Sequence, residues 1–222
     1  MADLLLSSQQ ETALPQGVAW DYYFPWNAPR VRSEQRDISS FISFLRYSLH
    51  RPRDILTILS ILKENFIEQN RSPSAVFFEE DFLSPAFTRK YSDYLLGEIK
   101  DQIHFYHSAE DYELFLKFFE YLMGHTRFTY EEFLDAYEAY DQFLGRNVTL
   151  KPDFCESPDT FLQFLYDLNV VCFVLDTDSE PFYGFCYRQR GPSNIAPKVR
   201  THAQYDIHFG LRKALWLGKH FD

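Results

Sequence analysis

Residues 108–124, SAEDYELFLKFFEYLMG, contain the pattern on which the predicted fold depends. Ser108 and Asp111 have the spacing of a helix N-cap, and Gly124 is a common residue just after a helix C-terminus. Between them, large apolar side chains recur at steps of three and four residues, which predicts an α-helix over 109–123 with one broad apolar face. The members of this face are Tyr112, Phe115, Phe119 and Leu122, widened by Leu116 and Phe118. So much aromatic surface must be covered by the chain's own bundle or by another chain, which hints at a protein partner.

The same periodicity predicts helices on both sides of this segment. Pro52 and Pro158 each suit a first helical turn, where the missing N–H of proline costs nothing. Thr129 and Glu132, in TYEE, have the spacing of a capping box. Arg51, as the residue before a proline, is expected to separate the first two helices. The predicted helices cover 38–49, 52–69, 85–106, 130–143 and 158–168.

The composition favours packed helices over a nucleotide-binding fold. The 222 residues are 45% hydrophobic and include 23 Phe and 15 Tyr, but only 8 Gly. Aromatic side chains in this number fill helical cores, whereas phosphate-binding loops need glycines. The predicted fold class is therefore mainly α.

Residues 169–189, NVVCFVLDTDSEPFYGFCYRQ, predict a β-hairpin after the helices. Its strands are expected near 169–176 and 182–189, with a turn about Ser179 that places Cys172 opposite Cys186. Three helices followed by a hairpin are the order of a winged-helix domain. The prediction is thus a helical bundle followed by a winged-helix domain with a small antiparallel β-hairpin. The expected parts are an irregular segment and helical, lid-like domain (1–107), a winged-helix-like domain (108–190) and a basic tail with a short helix (191–222).

Charge is distributed unevenly along the chain. The net charge is −10, yet residues 186–222 carry seven Lys and Arg against two Asp. A DNA-binding winged helix presents its third helix to the major groove, but here the third helix has Asp159 and Asp167 and no Lys or Arg. This pattern favours protein contact or oligomerisation. Contact with nucleic acid through the tail remains the alternative, and its candidate residues are Arg188, Arg190, Lys198 and Arg200.

Three stretches together resemble a known family. They are FPW (24–26), SSFISFLRYSLHRPRDILTILSIL (39–62) and YSDYLLGEIKDQ (91–102), followed by the predicted winged helix. The combination resembles the region after the nucleotide-binding core in bacterial P-loop ATPases of the STAND/AAA-like type, including relatives linked to phage defence. In those proteins a helical lid, often with an Arg-Pro-Arg-Asp turn, packs near the ATPase core.

The resemblance implies that Arg51 or Arg53, with Asp54, lies near a nucleotide or a neighbouring subunit's phosphate site. The simpler interpretation is that the arginines contact acidic neighbours and that Asp54 stabilises the positive end of the helix dipole. The chain lacks the family's G-x-x-x-x-G-K-[ST] loop. It is therefore not expected to hydrolyse ATP by itself, and a nucleotide role would require a partner.

No other motif predicts chemistry. His104 and His107 are three residues apart, but exposed polar spacing explains them better than a metal site, so neither metal nor cofactor is predicted. His202, Asp206 and His208 suggest an acid–base group without an identifiable nucleophile. The cysteines Cys155, Cys172 and Cys186 are expected to be reduced, because they are odd in number and lack metal-ligand spacing.

These observations predict a non-enzymatic interaction or regulatory module. It would bind a protein partner, with a P-loop ATPase as the candidate from the resemblance, or associate with itself, in a setting such as bacterial phage defence. The alternative is a winged-helix DNA-binding regulator that uses the wing and the basic tail. No signal peptide or membrane span is recognisable, so a cytoplasmic location is expected.

Overall fold

The computed structural model describes residues 2–8, 14–15, 17–27, 39–49, 51–71, 76–176 and 181–218 of the chain. These residues are mainly helical and contain one small antiparallel sheet of four strands. The chain divides into two compact units, residues 1–91 and 92–222. The division lies within a helix that runs from Pro85 to His104. The predicted mainly α fold is confirmed at this level.

Unit 1 consists of helices packed around aromatic rings. They are α1 (Ala2–Ser7), α2 (Ala19–Tyr23), α3 (Phe41–Tyr47), α4 (Pro52–Glu68), α5 (Glu79–Leu83) and the first part of α6 (Pro85–His104). The ring centroids of Phe44 and Phe82 lie 4.8 Å apart, and both side chains are buried. Trp20 packs against Phe44 and donates a hydrogen bond from Nε1 to Ser40 Oγ at 2.9 Å. The indole N–H is thus satisfied inside the core, as burial of a polar group requires.

The break between α3 and α4 forms where the sequence predicts it. Arg51 is extended (φ −92°, ψ 136°), and Pro52 is the first residue of α4. The predicted first helix, 38–49, is shorter in the structure because Ser48 is already extended (φ −93°, ψ 167°). Its expected first residue, Ile38, lies outside the described residues.

Unit 2 contains the end of α6, three further long helices and the sheet. The helices are α7 (Ala109–Phe118), continued by a 3₁₀ turn (Phe119–Leu122), α8 (Tyr130–Asn147) and α9 (Pro158–Asp167). Both predicted capping pairs are present: Ser108 Oγ accepts from the Asp111 N–H at 3.1 Å, and Thr129 Oγ1 accepts from the Glu132 N–H at 3.2 Å. These bonds satisfy N–H groups that have no partner within the helix.

The sheet brings together distant parts of the chain. Its strands are β1 (Arg127–Phe128), β2 (Val171–Leu175), β3 (Phe182–Gly184) and β4 (Gln204–Ile207), in the spatial order β1–β4–β2–β3. Every pairing is antiparallel. On β4, Tyr205 and Ile207 are buried in the apolar core.

The predicted hairpin is present, but its details are wrong. Phe173 pairs with Gly184, so the register is shifted by one residue from the prediction and Cys172 does not face Cys186. The second strand ends at Gly184, and residues 186–189 form a short helix, α10 (Cys186–Gln189). Close packing explains the register, because a Cβ at Gly184 would lie 2.1 Å from Phe173 Cζ, so only glycine fits under this ring. The predicted turn at Ser179 lies outside the described residues.

The C-terminal segment also differs from the prediction of a basic tail with a short helix. Residues 204–207 form β4, which lies between β1 and β2, and the residues from 208 to 218 form turns. The pattern QYDI alternates polar and apolar residues, which is typical of a strand. Its partners are far away in sequence, so local periodicity gave no indication of them.

Candidate protein-binding surface

Two of the three residues predicted near a nucleotide, Arg51 and Asp54, form an ion pair at the start of α4. Arg51 donates from Nε to Asp54 Oδ2 at 3.0 Å and from Nη2 to Asp54 Oδ1 at 2.8 Å. The Leu49 N–H also donates to Asp54 Oδ2, at 2.9 Å. The carboxylate is fully buried and lies in the first turn of the helix, where the dipole favours a negative charge. Asp54 therefore holds the break before α4 together, while the side chain of Arg53 is exposed.

The four basic residues predicted for nucleic-acid contact differ in the contacts that their side chains make. Arg190 approaches Asp167 on α9, with 3.8 Å between Nη2 and Oδ1. The guanidinium of Arg200 lies over the ring of Phe173, 4.4 Å from its centroid. Arg188 and Lys198 are exposed. Two of the four thus make contacts within unit 2.

The outer side of α9 is partly covered by its own chain. Gln163 donates from Nε2 to the Pro197 carbonyl at 3.0 Å, and its Oε1 accepts from the Val199 N–H at 3.1 Å. Both ends of this amide are therefore occupied by residues 197–199. A helix that reads DNA needs such side chains free to contact base edges. This arrangement makes α9 a poor candidate for reading DNA.

A buried carboxylate links the strands on one side of the sheet. Asp206 is 6% exposed, and its two oxygens accept from Arg127 Nη2 at 3.3 Å and from Arg212 Nη2 at 2.5 Å. Arg127 also donates to the Tyr183 hydroxyl at 3.0 Å. Both oxygens of Asp206 are thus paired with arginines. The acid–base group suggested with His202 and His208 therefore lacks a free carboxylate.

The cysteines are buried thiols within packed regions. Burial raises the pKa of Cys155 and of Cys172 to about 12 and that of Cys186 to about 11. A thiol is nucleophilic as the thiolate, which these groups do not form near neutral pH. All three are free in the structure, as the sequence predicts.

The histidines considered as metal ligands face different aromatic rings. His104 packs edge-on against Tyr112, and His107 packs edge-on against Phe154 and Phe164. Within the described ranges, no group of three or more His, Cys, Asp or Glu side chains could hold a metal ion.

An open groove of about 940 Å³ lies on unit 2. We call it the Met123 groove. It is lined by residues of α7 and α8, of the 3₁₀ turn between them and of the turn at 214–217. Its apolar lining includes Leu116, Phe119, Met123, Phe143, Leu215 and Trp216.

Two large apolar side chains project at the edge of this groove. Met123 is 75% exposed and Trp216 is 70% exposed. Both have left-handed backbone conformations, with φ 50° at Met123 and φ 59° at Trp216. This region is unfavourable for residues with a bulky side chain. Their turns are joined directly, because the Gly218 N–H donates to the Gly124 carbonyl at 2.8 Å.

The aromatic face predicted for α7 is mostly covered by unit 2 itself. Tyr112, Phe115, Phe118 and Phe119 are all buried, so the surplus of aromatic residues is core and does not by itself indicate a partner. The exposure of Met123 and Trp216 could not be predicted from the periodicity of the sequence. Gly124 and Gly218, which follow them, are the only local signal, because glycine often marks a left-handed turn.

No family model matches the chain, and neither the curated proteins nor the solved structures contain a match to it. Among the helices of the described residues, none is long and apolar enough to cross a membrane.

Proposed function

We propose that this chain is a non-enzymatic protein-binding module whose partner docks on the Met123 groove. The observation that carries the proposal is that Met123 and Trp216 both line the groove and are both mostly exposed. Each is a large apolar residue, mostly exposed and held in an unfavourable backbone conformation. Exposure of apolar groups in a contiguous concave surface is typical of an interaction site.

Methionine and tryptophan suit this role for physical reasons. Methionine has a flexible, polarisable side chain that adapts to irregular surfaces, and tryptophan offers the largest apolar area of any side chain. Both residue types are enriched in the centres of protein interfaces. Burying these side chains in an interface would remove their apolar surface from water, which stabilises the complex.

Within this proposal, unit 2 is a winged-helix domain adapted to protein contact. The chain order α7, β1, α8, α9, β2 and β4 supports this assignment, with β4 returning between β1 and β2 as the last strand of a winged-helix sheet does. Strand β3 and helix α10 would then belong to an enlarged wing. The acidic residues of α9 and the covered Gln163 favour protein contact over DNA reading.

The partner class implied by the sequence resemblance is a P-loop ATPase. The test is capture of partners from native cells with the tagged chain after nuclease treatment, followed by mass spectrometry. Met123→Asn removes the apolar side chain and suits the left-handed backbone. Ile195→Asn is the matched control, because Ile195 is 80% exposed but does not line the groove.

We expect a nuclease-resistant partner, with a Walker-motif ATPase as the leading candidate, that is recovered by the wild-type and Ile195→Asn chains. Its recovery should fall at least tenfold with Met123→Asn. Equal recovery by all three chains would contradict the proposed surface. Recovery of nucleic acid alone, lost on nuclease treatment, would instead support the DNA-binding alternative.

A further inference from the structure

A second depression adjoins the Met123 groove and shares Met123 with it. It has a volume of about 370 Å³, and its apolar lining includes Leu122, Phe128, Ala136 and Ala139. Met123 lines both depressions and therefore forms a ridge between them. Two adjacent apolar depressions with a ridge can receive several side chains of one ligand segment. We call the pair the double groove.

Carboxylates surround this apolar surface. Glu113 and Glu120 line the first depression, and Glu132 and Asp135 line the second. Lys117 is the one Lys or Arg among the described lining residues, and it is paired with Glu120 at 2.5 Å, while His125 lines the second depression. Glu113 and Asp135 have no ion pair with any described residue. The rim therefore carries uncompensated negative charge.

The solvent side of α8 extends this acidic field. Glu131 and Glu138 are exposed on the same helix as Glu132 and Asp135. Like charges held on one helix face repel each other and are relieved by an approaching cation. A ligand with lysine or arginine beside its apolar residues would satisfy both features of the surface.

The walls of the double groove indicate the form of the ligand. The first depression is lined by helices, a 3₁₀ turn and the turn at 214–217, and among the residues that line the second only Phe128 belongs to a strand, the two-residue β1. So short a strand offers little backbone for a ligand strand to pair with, so the side chains of the ligand must supply most of the contacts. An amphipathic helix achieves this with apolar residues at spacings of three and four.

We infer that the double groove binds a basic amphipathic α-helix of a partner protein. The inference rests on the proposed function and adds the chemistry of the partner segment. The apolar face of that helix packs on Met123 and the two depressions, while its lysines or arginines lie opposite Glu113 and Asp135. A second copy of this chain and an acidic or uncharged segment are the competing occupants.

The test uses two fluorescein-labelled synthetic 18-residue helical peptides with the same leucine face. One carries lysines on its polar face, and the other carries glutamates. Binding to the full chain is measured by fluorescence anisotropy, with salt varied from 50 to 300 mM. We expect the lysine peptide to bind at least tenfold more tightly than the glutamate peptide, and the difference to shrink as salt screens the charges.

Two sets of variants separate docking in the groove from general attraction to an acidic protein. Met123→Asn should weaken binding of the lysine peptide at least fivefold. The double variant Glu113→Gln with Asp135→Asn should weaken this binding by a similar factor. The matched charge control combines Asp101→Asn with Glu156→Gln, both exposed and outside the double groove. It should change binding less than twofold, and circular dichroism must show that all variants are folded.

Equal binding of the two peptides, or equal losses in the groove and control variants, would overturn the inference. So would a concentration-dependent dimer of the wild-type chain that Met123→Asn abolishes, because the groove would then bind a second copy. In each of these cases a partner captured through Met123 in cells would leave the proposed function standing. Loss of that capture effect, with peptide selectivity intact, would instead remove the proposed function.

Discussion

At the scale of single residues, Met123 combines an unfavourable backbone with an exposed apolar side chain. Its φ of 50° and ψ of 35° lie in the left-handed region, and 75% of its surface is open to solvent. The left-handed backbone ends the 3₁₀ turn, where the Met123 N–H donates to the Glu120 carbonyl at 3.3 Å, but the exposed side chain buries little apolar surface in the isolated chain. In a complex this side chain would be buried and would make apolar contacts that it lacks in the isolated chain.

The first prediction follows from this mismatch. Met123→Asn should raise the free energy of unfolding by about 0.5 kcal/mol, because asparagine adopts left-handed conformations more readily than methionine. Urea unfolding followed by circular dichroism measures the change. A loss of stability of 1 kcal/mol or more would show that Met123 supports the fold and that its exposure has another explanation.

At the scale of secondary-structure elements, the long helices and one hairpin could be predicted from sequence, whereas the other strands of the sheet and the register of the hairpin could not. Ser108 with Asp111 and Thr129 with Glu132 are local signals, since a cap needs only residues three positions apart. Strand β4 depends on partners at 127–128 and 171–174, so no short window of sequence contains the pairing. The register of β2 and β3 likewise depends on a ring over Gly184, which periodicity does not reveal.

The second prediction tests that register. Gly184→Ala places a methyl group on the ring of the buried Phe173, so we expect a loss of about 1–3 kcal/mol of stability from overpacking. Gly145→Ala is the control, since Gly145 lies in α8 with open space around it and should gain up to about 1 kcal/mol. Thermal or urea unfolding compares the two. Similar effects of both substitutions would contradict the pairing of Phe173 with Gly184.

The residues of the candidate site also differ in how far they can be predicted from sequence. Arg51, Arg53 and Asp54 stand out in sequence, and the structure explains two of them as a pair that fixes the start of α4. Met123 and Trp216 are 93 positions apart in sequence, and the bond between the Gly218 N–H and the Gly124 carbonyl joins their turns. A surface made of two distant turns has no signature in a single segment of sequence.

At the scale of the whole molecule, the burial of thiols and phenols makes the free energy of unfolding depend on pH in the alkaline range. The pKa of Cys155 and of Cys172 is raised to about 12 by burial, and that of Tyr112 is also raised to about 12. The folded chain thus keeps protons that the unfolded chain releases above pH 9 to 10. Unfolding then releases protons, so raising the pH favours the unfolded state.

The third prediction is a fall in the free energy of unfolding between about pH 9 and pH 12, with full stability from these groups below pH 9. Urea unfolding at a series of pH values measures this. The variants Cys155→Ala and Cys172→Ala should each make the fall less steep, because each removes one titrating group. A stability that stays constant up to pH 12 would contradict the burial of these side chains.

The claim that a protein docks on Met123 can be tested most directly by crosslinking in native cells. The photoreactive amino acid benzoyl-phenylalanine is placed at position 123 in one chain and at position 195 in a control chain. We expect a light-dependent adduct with a specific protein at position 123 and none at position 195, with the partner identified by mass spectrometry. The absence of a protein adduct at position 123, or the same adducts at both positions, would contradict it.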